Sequence, residues 1–124
     1  MNNAIIVDID GTLTSDFGGV PNNTIIDLVH RYSCDHDILI ITYRPISEAP
    51  YTEKWLSDMN VQFTRIWYTT DKMDIYKKYI ENKWNVRFIL EDDAEIISDF
   101  RDIGLQAIEV NNKLLFPERL LDPQ

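Results

Sequence analysis

Two aspartates one residue apart, Asp8 and Asp10, follow the apolar, β-branched run Ala4-Ile5-Ile6-Val7 and precede Gly11-Thr12. The run has the composition of a buried strand. Because strand side chains alternate, both carboxylates can leave the strand end on the same side. Two carboxylates held there are costly to bury unless something pairs with them, and a divalent cation with oxygen ligands, usually Mg²⁺, offsets them most directly. Asp-Gly is also ordinary turn chemistry, so the pair gains its meaning from the rest of the chain. Two further strand-like runs end in polar clusters. One ends at Thr42 and Arg44, the other at Asp92 and Asp93. Four carboxylates, a hydroxyl and one or two cations at one edge suit phosphoryl transfer. A carboxylate can attack phosphorus, a second can protonate the leaving oxygen and then activate water, and a cation with Lys or Arg can offset the charge.

The elements that must position these groups alternate in type. Strands are expected at residues 4–7, 37–42, 61–68, 86–90 and 105–110. Helices are expected at about 24–33, 48–59, from the cap Thr69-Thr70-Asp71 to Trp84, and from Asp93 to Gly104. Asn22-Asn23 can cap the first helix, with Ile25, Leu28, Val29 and Tyr32 at helical spacing. Tyr51, Trp55 and Met59 share one face of the second, and Pro50 is tolerated in its first turn. Residues 13–21, with Gly18-Gly19, read as a loop or small hairpin, and Leu114–Gln124 as a packed extension. Near-continuous apolar runs such as Ile38-Leu39-Ile40-Ile41 belong to parallel strands covered on both faces. The pattern predicts one α/β domain over residues 1–124, a Rossmann-like three-layer sandwich with a mainly parallel five-stranded sheet. Ligands of such sheets bind beyond the carboxyl ends of the strands, where the polar clusters fall.

Composition narrows the function classes. The chain has 124 residues, 44% of them apolar, and a formal net charge of −9. That charge disfavours broad, sequence-independent binding to a phosphate backbone, which needs clustered Lys and Arg, but permits a small basic site. The single cysteine, Cys34, has no internal disulfide partner and reads as structural or incidental. His30 and His36 lack a second metal ligand nearby. No apolar run has membrane-spanning length and no signal-peptide layout opens the chain, so a soluble, intracellular protein without membrane partners is expected.

Taken together, the motifs resemble those of the haloacid dehalogenase (HAD) superfamily. Asp8-Ile9-Asp10-Gly11-Thr12 is similar to its first motif, Ile40-Ile41-Thr42 to its second, and Glu91-Asp92-Asp93 to its fourth. The third is a lysine, with Lys72, Lys77, Lys78 and Lys83 as candidates. The resemblance implies that Asp8 is the nucleophile and Asp10 the general acid/base. It makes Thr42 a phosphate ligand and the lysine its neutralising charge. Mg²⁺ would be held by Asp8, Asp10 (through its carbonyl), Asp92 and Asp93.

A narrower likeness, to the phosphatase domain of phage polynucleotide kinase/3′-phosphatases, rests on Thr42-Tyr43-Arg44-Pro45, Tyr51–Leu56, Asp74-Ile75-Tyr76-Lys77 and Phe100–Leu105. It selects Lys77 as the motif lysine, and implies that Thr12, Thr42, Tyr43 and Arg44 line the substrate phosphate. Tyr43 stands where a glycine is usual. Ala94 follows the acidic pair where an arginine is usual. No Gly-rich phosphate loop of a kinase module occurs. The intervals Asp10–Thr42 and Thr42–Lys77 are too short for the inserted cap that many superfamily members carry. An open site suits a nucleic-acid 3′ end, or a nucleotide or other small phosphate if a second copy of the chain covers it. The resemblance thus implies a Mg²⁺-dependent phosphomonoester hydrolase working through an aspartyl-phosphate, with a polynucleotide 3′-phosphate as one substrate. The alternatives are a nucleotide or small-molecule phosphatase and a non-catalytic binding module. The expected location is the cytoplasm, that of the host if the chain is phage-encoded.

Overall fold

A computed structural model describes residues 1–15 and 19–111. Five strands form one all-parallel sheet: β1 (Asn2–Val7), β2 (Asp37–Thr42), β3 (Arg65–Tyr68), β4 (Trp84–Glu91) and β5 (Ala107–Glu109), in the spatial order β3-β2-β1-β4-β5. Four helices make the crossovers: α1 (Asn23–Tyr32), α2 (Ala49–Asp58), α3 (Lys72–Ile75, continuing as a wider π turn over Tyr76–Ile80) and α4 (Ala94–Asp102). This is the three-layer α/β sandwich expected from the sequence. Among the described residues no inserted cap separates β1 from β2 or β2 from β3, and no helix is long and apolar enough to cross a membrane.

Alternation along β1 and β2 divides the core in two. Ala4, Ile6, Leu39 and Ile41 face α3 and α4, where they meet Ile75, Ile80, Ile97 and Phe100. Ile5, Val7, Ile38 and Ile40 face α1 and α2, where they meet Ile26, Val29 and Leu56. Both faces of the central strands are thus sealed, which is why those strands read as unbroken apolar runs. The chain lays down β1, β2 and β3 toward one edge and then returns through α3 to place β4 on the other side of β1. Neighbouring crossovers therefore diverge at β1, and a crevice opens beyond its carboxyl end.

Details differ from the sequence reading for identifiable reasons. β3 starts at Arg65 rather than Val61, because Val61 turns into the core while residues 62–64 bring the chain to the edge of β2, where the Thr64 N–H donates to the Ile38 carbonyl at 2.8 Å. Helix α2 buries Thr52 and Leu56, leaving Tyr51 exposed. In α1 the most buried residues are Ile26 and Val29. Asn22 does cap α1, accepting the Ile25 N–H at 3.4 Å. Of the hairpin expected at residues 13–21, the described part is an antiparallel bridge between Thr14 and Pro21; Gly18 and the tail Leu114–Gln124 lie outside the described residues.

The pairing of β1 with β4 steps by one residue: Ala4 lies opposite Val86, and Ile5 opposite Phe88. Arg87 is the extra residue of a bulge, so Val86 and Phe88, two apart, pack on opposite faces of the sheet. Deleting Arg87 therefore leaves every apolar side chain of β4 on its own face, and this variant is expected to fold, with a wild-type circular dichroism spectrum. Deleting Phe88 instead puts Arg87 opposite Ile5 in the core and is expected to abolish cooperative unfolding. An unfolded Arg87 deletion would contradict this register.

Candidate active site

The crevice is built by the turns and helix starts at the carboxyl ends of β1, β2, β3 and β4. After Val7 the chain makes a wide turn, Ile9–Leu13, closed by the Thr14 N–H to the Ile9 carbonyl at 3.0 Å. Gly11 sits in it at φ +82°, and a Cβ there would collide with the Asp92 carboxylate. Glycine is thus needed for its backbone angle and also for the close approach of the β4 end. The turn leaves Asp8 and Asp10 in the wall of a cavity of about 380 Å³, together with Tyr43, Arg44, Lys72, Glu91 and Asp92.

Lys72 is the organising group. It is the first residue of α3, just past the N-cap Asp71. This puts its side chain at the carboxyl edge of the sheet, where it is 3% exposed. Its Nζ donates to Asp8 Oδ1 at 2.7 Å and to Glu91 Oε2 at 2.8 Å, and it lies 5.0 Å from the centre of the Tyr43 ring. Thr12 Oγ1 donates to the other Asp8 oxygen at 3.2 Å. Glu91 Oε1 accepts the main-chain N–H groups of Asp92 and Asp93 at 3.1 and 3.3 Å. Glu91 is thereby saturated and fixes the turn after β4.

A second ion pair holds Asp10. Arg44 grips it with two parallel hydrogen bonds, Nε to Oδ2 at 3.0 Å and Nη2 to Oδ1 at 2.7 Å, the geometry that makes guanidinium–carboxylate pairs strong. Its Nη1 donates to Oγ1 of the buried Thr52 at 3.0 Å. Its main-chain N–H donates to Thr42 Oγ1 at 3.1 Å. Thr42, 1% exposed at the end of β2, still has its own hydroxyl proton to donate.

Two expected assignments are corrected. Lys77 does not reach the cluster: it lies in the π turn beyond α3, on the exposed side, and Lys72 occupies the place beside Asp8. Five residues along a helix carry a side chain well down from the sheet edge. Asp93 lines the same cavity but stands outside the group formed by Asp8, Glu91 and Asp92. Its Oδ1 caps α4, accepting from the Glu95 and Ile96 N–H groups at 2.9 and 3.4 Å. The acidic pair at the end of β4 is Glu91-Asp92. Glu91 is the site residue that the sequence reading missed. Strand parity could have found it, since Glu91 lies two residues after Ile89 and so points to the side from which α3 delivers Lys72.

The charges do not balance. Asp8, Asp10, Glu91, Asp92 and Asp93 set five carboxylates against two cations, Lys72 and Arg44. Burial, opposed by Lys72 and reinforced by the charge of Glu91, holds the Asp8 pKa up at about 6. Burial likewise raises Asp92 to about 6, and the neighbouring Asp8 adds to it. Burial also raises Glu91, against the pull of Lys72. For Lys72 burial acts downward, but Asp8 and Glu91 outweigh it and leave its pKa above the usual value. Ligand oxygens of Asp8, Glu91 and Asp92 lie within 4.8 Å of one another. Hard oxygen donors with surplus negative charge fit Mg²⁺. Both oxygens of Glu91 and both of Asp8 already accept hydrogen bonds, so a bound cation would share them with Lys72, Thr12 and the main chain.

A pair of aspartates at the switch point, with Lys72 entering from the opposite crossover, is the arrangement of a HAD-type phosphatase domain. More narrowly, the chain belongs to the family of polynucleotide kinase PNKP phosphatase domains, whose model matches residues 2–113. No curated protein matches the sequence. Among solved structures, a chain of the structure titled "Structure of Pnkp1/Rnl/Hen1 complex" superimposes with a TM-score of 0.81 at 20% identity, over 90% of this chain and 46% of that one. A chain of the "Structure of the Pnkp1/Rnl/Hen1 RNA repair complex" gives 0.78 at 18%, over 90% and 43%. At these identities the likeness bears on the fold, and this chain spans less than half the length of either.

The site's electrostatics give two testable outcomes. Lys72→Ala leaves Asp8 and Glu91 buried without their cation and should cost about 3–5 kcal/mol in denaturant unfolding, whereas Lys77→Ala should stay within roughly 0.5 kcal/mol of wild type. Equal effects would contradict the assignment. The folded protein holds protons on Asp8 and Asp92 up to about pH 6, while the unfolded chain releases them near 3.8. These groups therefore favour the folded state at the acid end of that window, and the advantage is lost as pH rises through it. Without metal, their contribution to the melting temperature falls between about pH 4 and 6. Mg²⁺ should raise the melting temperature at pH 7.5, and much less at pH 5. Asp92→Asn should raise the metal-free value at pH 7.5 and remove the response to Mg²⁺. A wild-type melting temperature indifferent to Mg²⁺ at both pH values would contradict the metal fit.

Proposed function

We propose that the protein is a Mg²⁺-dependent phosphomonoester hydrolase that works through an aspartyl-phosphate on Asp8, with a nucleic-acid 3′-phosphate or nucleotide phosphate as substrate. The observation that carries this reading is Asp8 itself: a buried carboxylate in the wall of an open cavity, one oxygen held by Lys72 and the other by Thr12. Membership of the PNKP phosphatase family supports the reaction class.

In this reading an Asp8 oxygen attacks phosphorus while the bond from phosphorus to the ester oxygen breaks. The departing oxygen takes a proton from Asp10. Water then attacks the phosphoryl group, gives a proton to Asp10, and the Asp8–phosphorus bond breaks to release inorganic phosphate. Arg44 and Thr52 fix the Asp10 carboxylate so that it serves both steps from one position. Lys72 and the Thr42 hydroxyl offset charge on the non-bridging oxygens. Asp8 and Asp92 would hold the metal, with the main-chain carbonyl of Asp10 as the further ligand that the resemblance supplies. When bound, the ion lowers the repulsion between nucleophile and phosphate. Glu91 stands behind Lys72 and keeps it aimed.

The test is hydrolysis of an aryl phosphate and of a 3′-phosphorylated oligonucleotide, with Mg²⁺ or with chelator. Wild type should turn over with Mg²⁺. Asp8→Asn should be inactive, and Lys72→Ala should lose on the order of 100-fold or more, in line with removal of an electrostatic stabiliser. A rate in Asp8→Asn equal to that of wild type would defeat the proposal.

A further inference from the structure

Two of the three N–H groups of Lys72 are spent on Asp8 Oδ1 and Glu91 Oε2. The ammonium also lies over the face of the Tyr43 ring, 5.0 Å from its centre. A ring face attracts a cation without offering it a lone pair. Tyr43 stands where the resemblance has a glycine, so this contact belongs to the present chain rather than to the shared motif. The ring is also a partition. Lys72 lines the catalytic cavity, of about 380 Å³, whereas Tyr43 lines both that cavity and a neighbour of about 470 Å³ beyond β2 and β3. Tyr43 is 49% exposed and Lys72 is 3% exposed. The ring thus takes the solvent side of the pair and leaves the ammonium covered.

Both ends of the contact are set by the main chain. Tyr43 directly follows Thr42, the last residue of β2, whose carbonyl accepts the Thr69 N–H at 3.0 Å. Thr69 Oγ1 accepts the Asp71 N–H at 2.9 Å and donates to the Asp71 carbonyl at 3.1 Å. Lys72 comes next. One short run of hydrogen bonds therefore fixes where the two side chains start relative to each other.

We propose that Tyr43 is a positioning residue for Lys72: the face of its ring holds the ammonium in place through both halves of the reaction. The inference rests on the phosphatase reading, and adds to it a residue that acts through Lys72. The reaction changes one contact of this lysine. When Asp8 becomes an acyl phosphate its carboxylate charge is gone, and the N–H it held is released to the phosphoryl oxygens. Glu91 and the ring are the contacts that stay. Glu91 alone leaves the ammonium free to swing about one hydrogen bond. The ring removes that freedom, and does so without competing for the N–H that the phosphoryl oxygens need.

The experiment measures kcat and KM for an aryl phosphate with Mg²⁺ in wild type, Tyr43→Leu, Tyr43→Phe, and Tyr43→Phe carrying one, two or three fluorines on the ring. Fluorine withdraws electron density from the ring face and weakens its hold on a cation, with little change of shape. Tyr43→Phe should recover most of the kcat that Tyr43→Leu loses. Along the fluorinated series kcat should fall step by step, to about fivefold below Tyr43→Phe at three fluorines, with KM moving less. Wild-type circular dichroism across the series makes the comparison one of placement rather than folding. A kcat indifferent to fluorination, a Tyr43→Leu equal to Tyr43→Phe, or a loss confined to KM overturns the proposal while leaving the phosphatase reading in place. A second readout does not depend on turnover. A ring face over the ammonium moves the Lys72 ε-methylene proton resonances upfield, and this shift should be present in metal-free wild type and Tyr43→Phe and lost in Tyr43→Leu. If wild type hydrolyses no phosphate, the phosphatase reading fails. The upfield shift then upholds the placement of Lys72 by Tyr43, and its absence overturns it.

Discussion

Everything at the carboxyl edge of this sheet depends on how one buried ammonium is shared. Lys72 sits between Asp8 and Glu91 at 2.7 and 2.8 Å, in a place where an unpaired charge of either sign would be costly. It fixes one oxygen of Asp8, and with it the direction in which the carboxylate faces. It neutralises Glu91, whose other oxygen closes the turn that presents Asp92. Lys72 cannot satisfy both partners and Asp92 as well, so the cluster keeps a surplus of negative charge and the carboxyls of Asp8 and Asp92 stand at about 6. Energy that a purely structural cluster would avoid is held here, at the spot where a cation and a phosphate would relieve it.

The fold makes that sharing possible. Lys72 comes from the crossover on one face of the sheet, and Arg44 reaches Asp10 from the end of β2 with support from Thr52 on the other face. The two ion pairs meet only because the chain reverses its winding direction at β1. Gly11 lets the two acidic turns touch; a Cβ there would displace the Asp92 carboxylate. Loss of the Arg87 bulge would leave this edge in register, since the step lies between Ala4 and Ile5, toward the opposite end of the strands.

Much of this was legible in the sequence, and the part that was not has physical causes. β2 was bounded as observed because its apolar run ends at a polar residue on both sides. The five parallel strands came from alternation and unbroken apolar runs. Asp8, Asp10, Thr42 and Arg44 came from the ends of the most regular strands. The lysine was harder. Lys72, Lys77, Lys78 and Lys83 are chemically alike, and which one is buried depends on where α3 begins relative to the end of β3. The cap Asp71 carried that information: the lysine nearest it is the one nearest the sheet edge. Three consecutive acids posed the same kind of problem. Asp92 does lie near Asp8, but whether Glu91 or Asp93 joins it depends on strand parity carried from Ile89. Thr52 was hidden because an apolar stripe of Tyr51, Trp55 and Met59 competes with it on paper, whereas the helix turns Thr52 and Leu56 inward and Arg44 meets the Thr52 hydroxyl there.

The central claim is that Asp8 carries the phosphoryl group. The most direct measurement is to quench the enzyme in acid during turnover, reduce it with borohydride, and map the product by peptide mass spectrometry. An acyl phosphate on Asp8 would be reduced to homoserine, so residue 8 should be recovered as homoserine, with Mg²⁺ and substrate both required. Turnover at full rate with residue 8 recovered only as aspartate, or with homoserine at position 10 or 92 instead, would contradict the account.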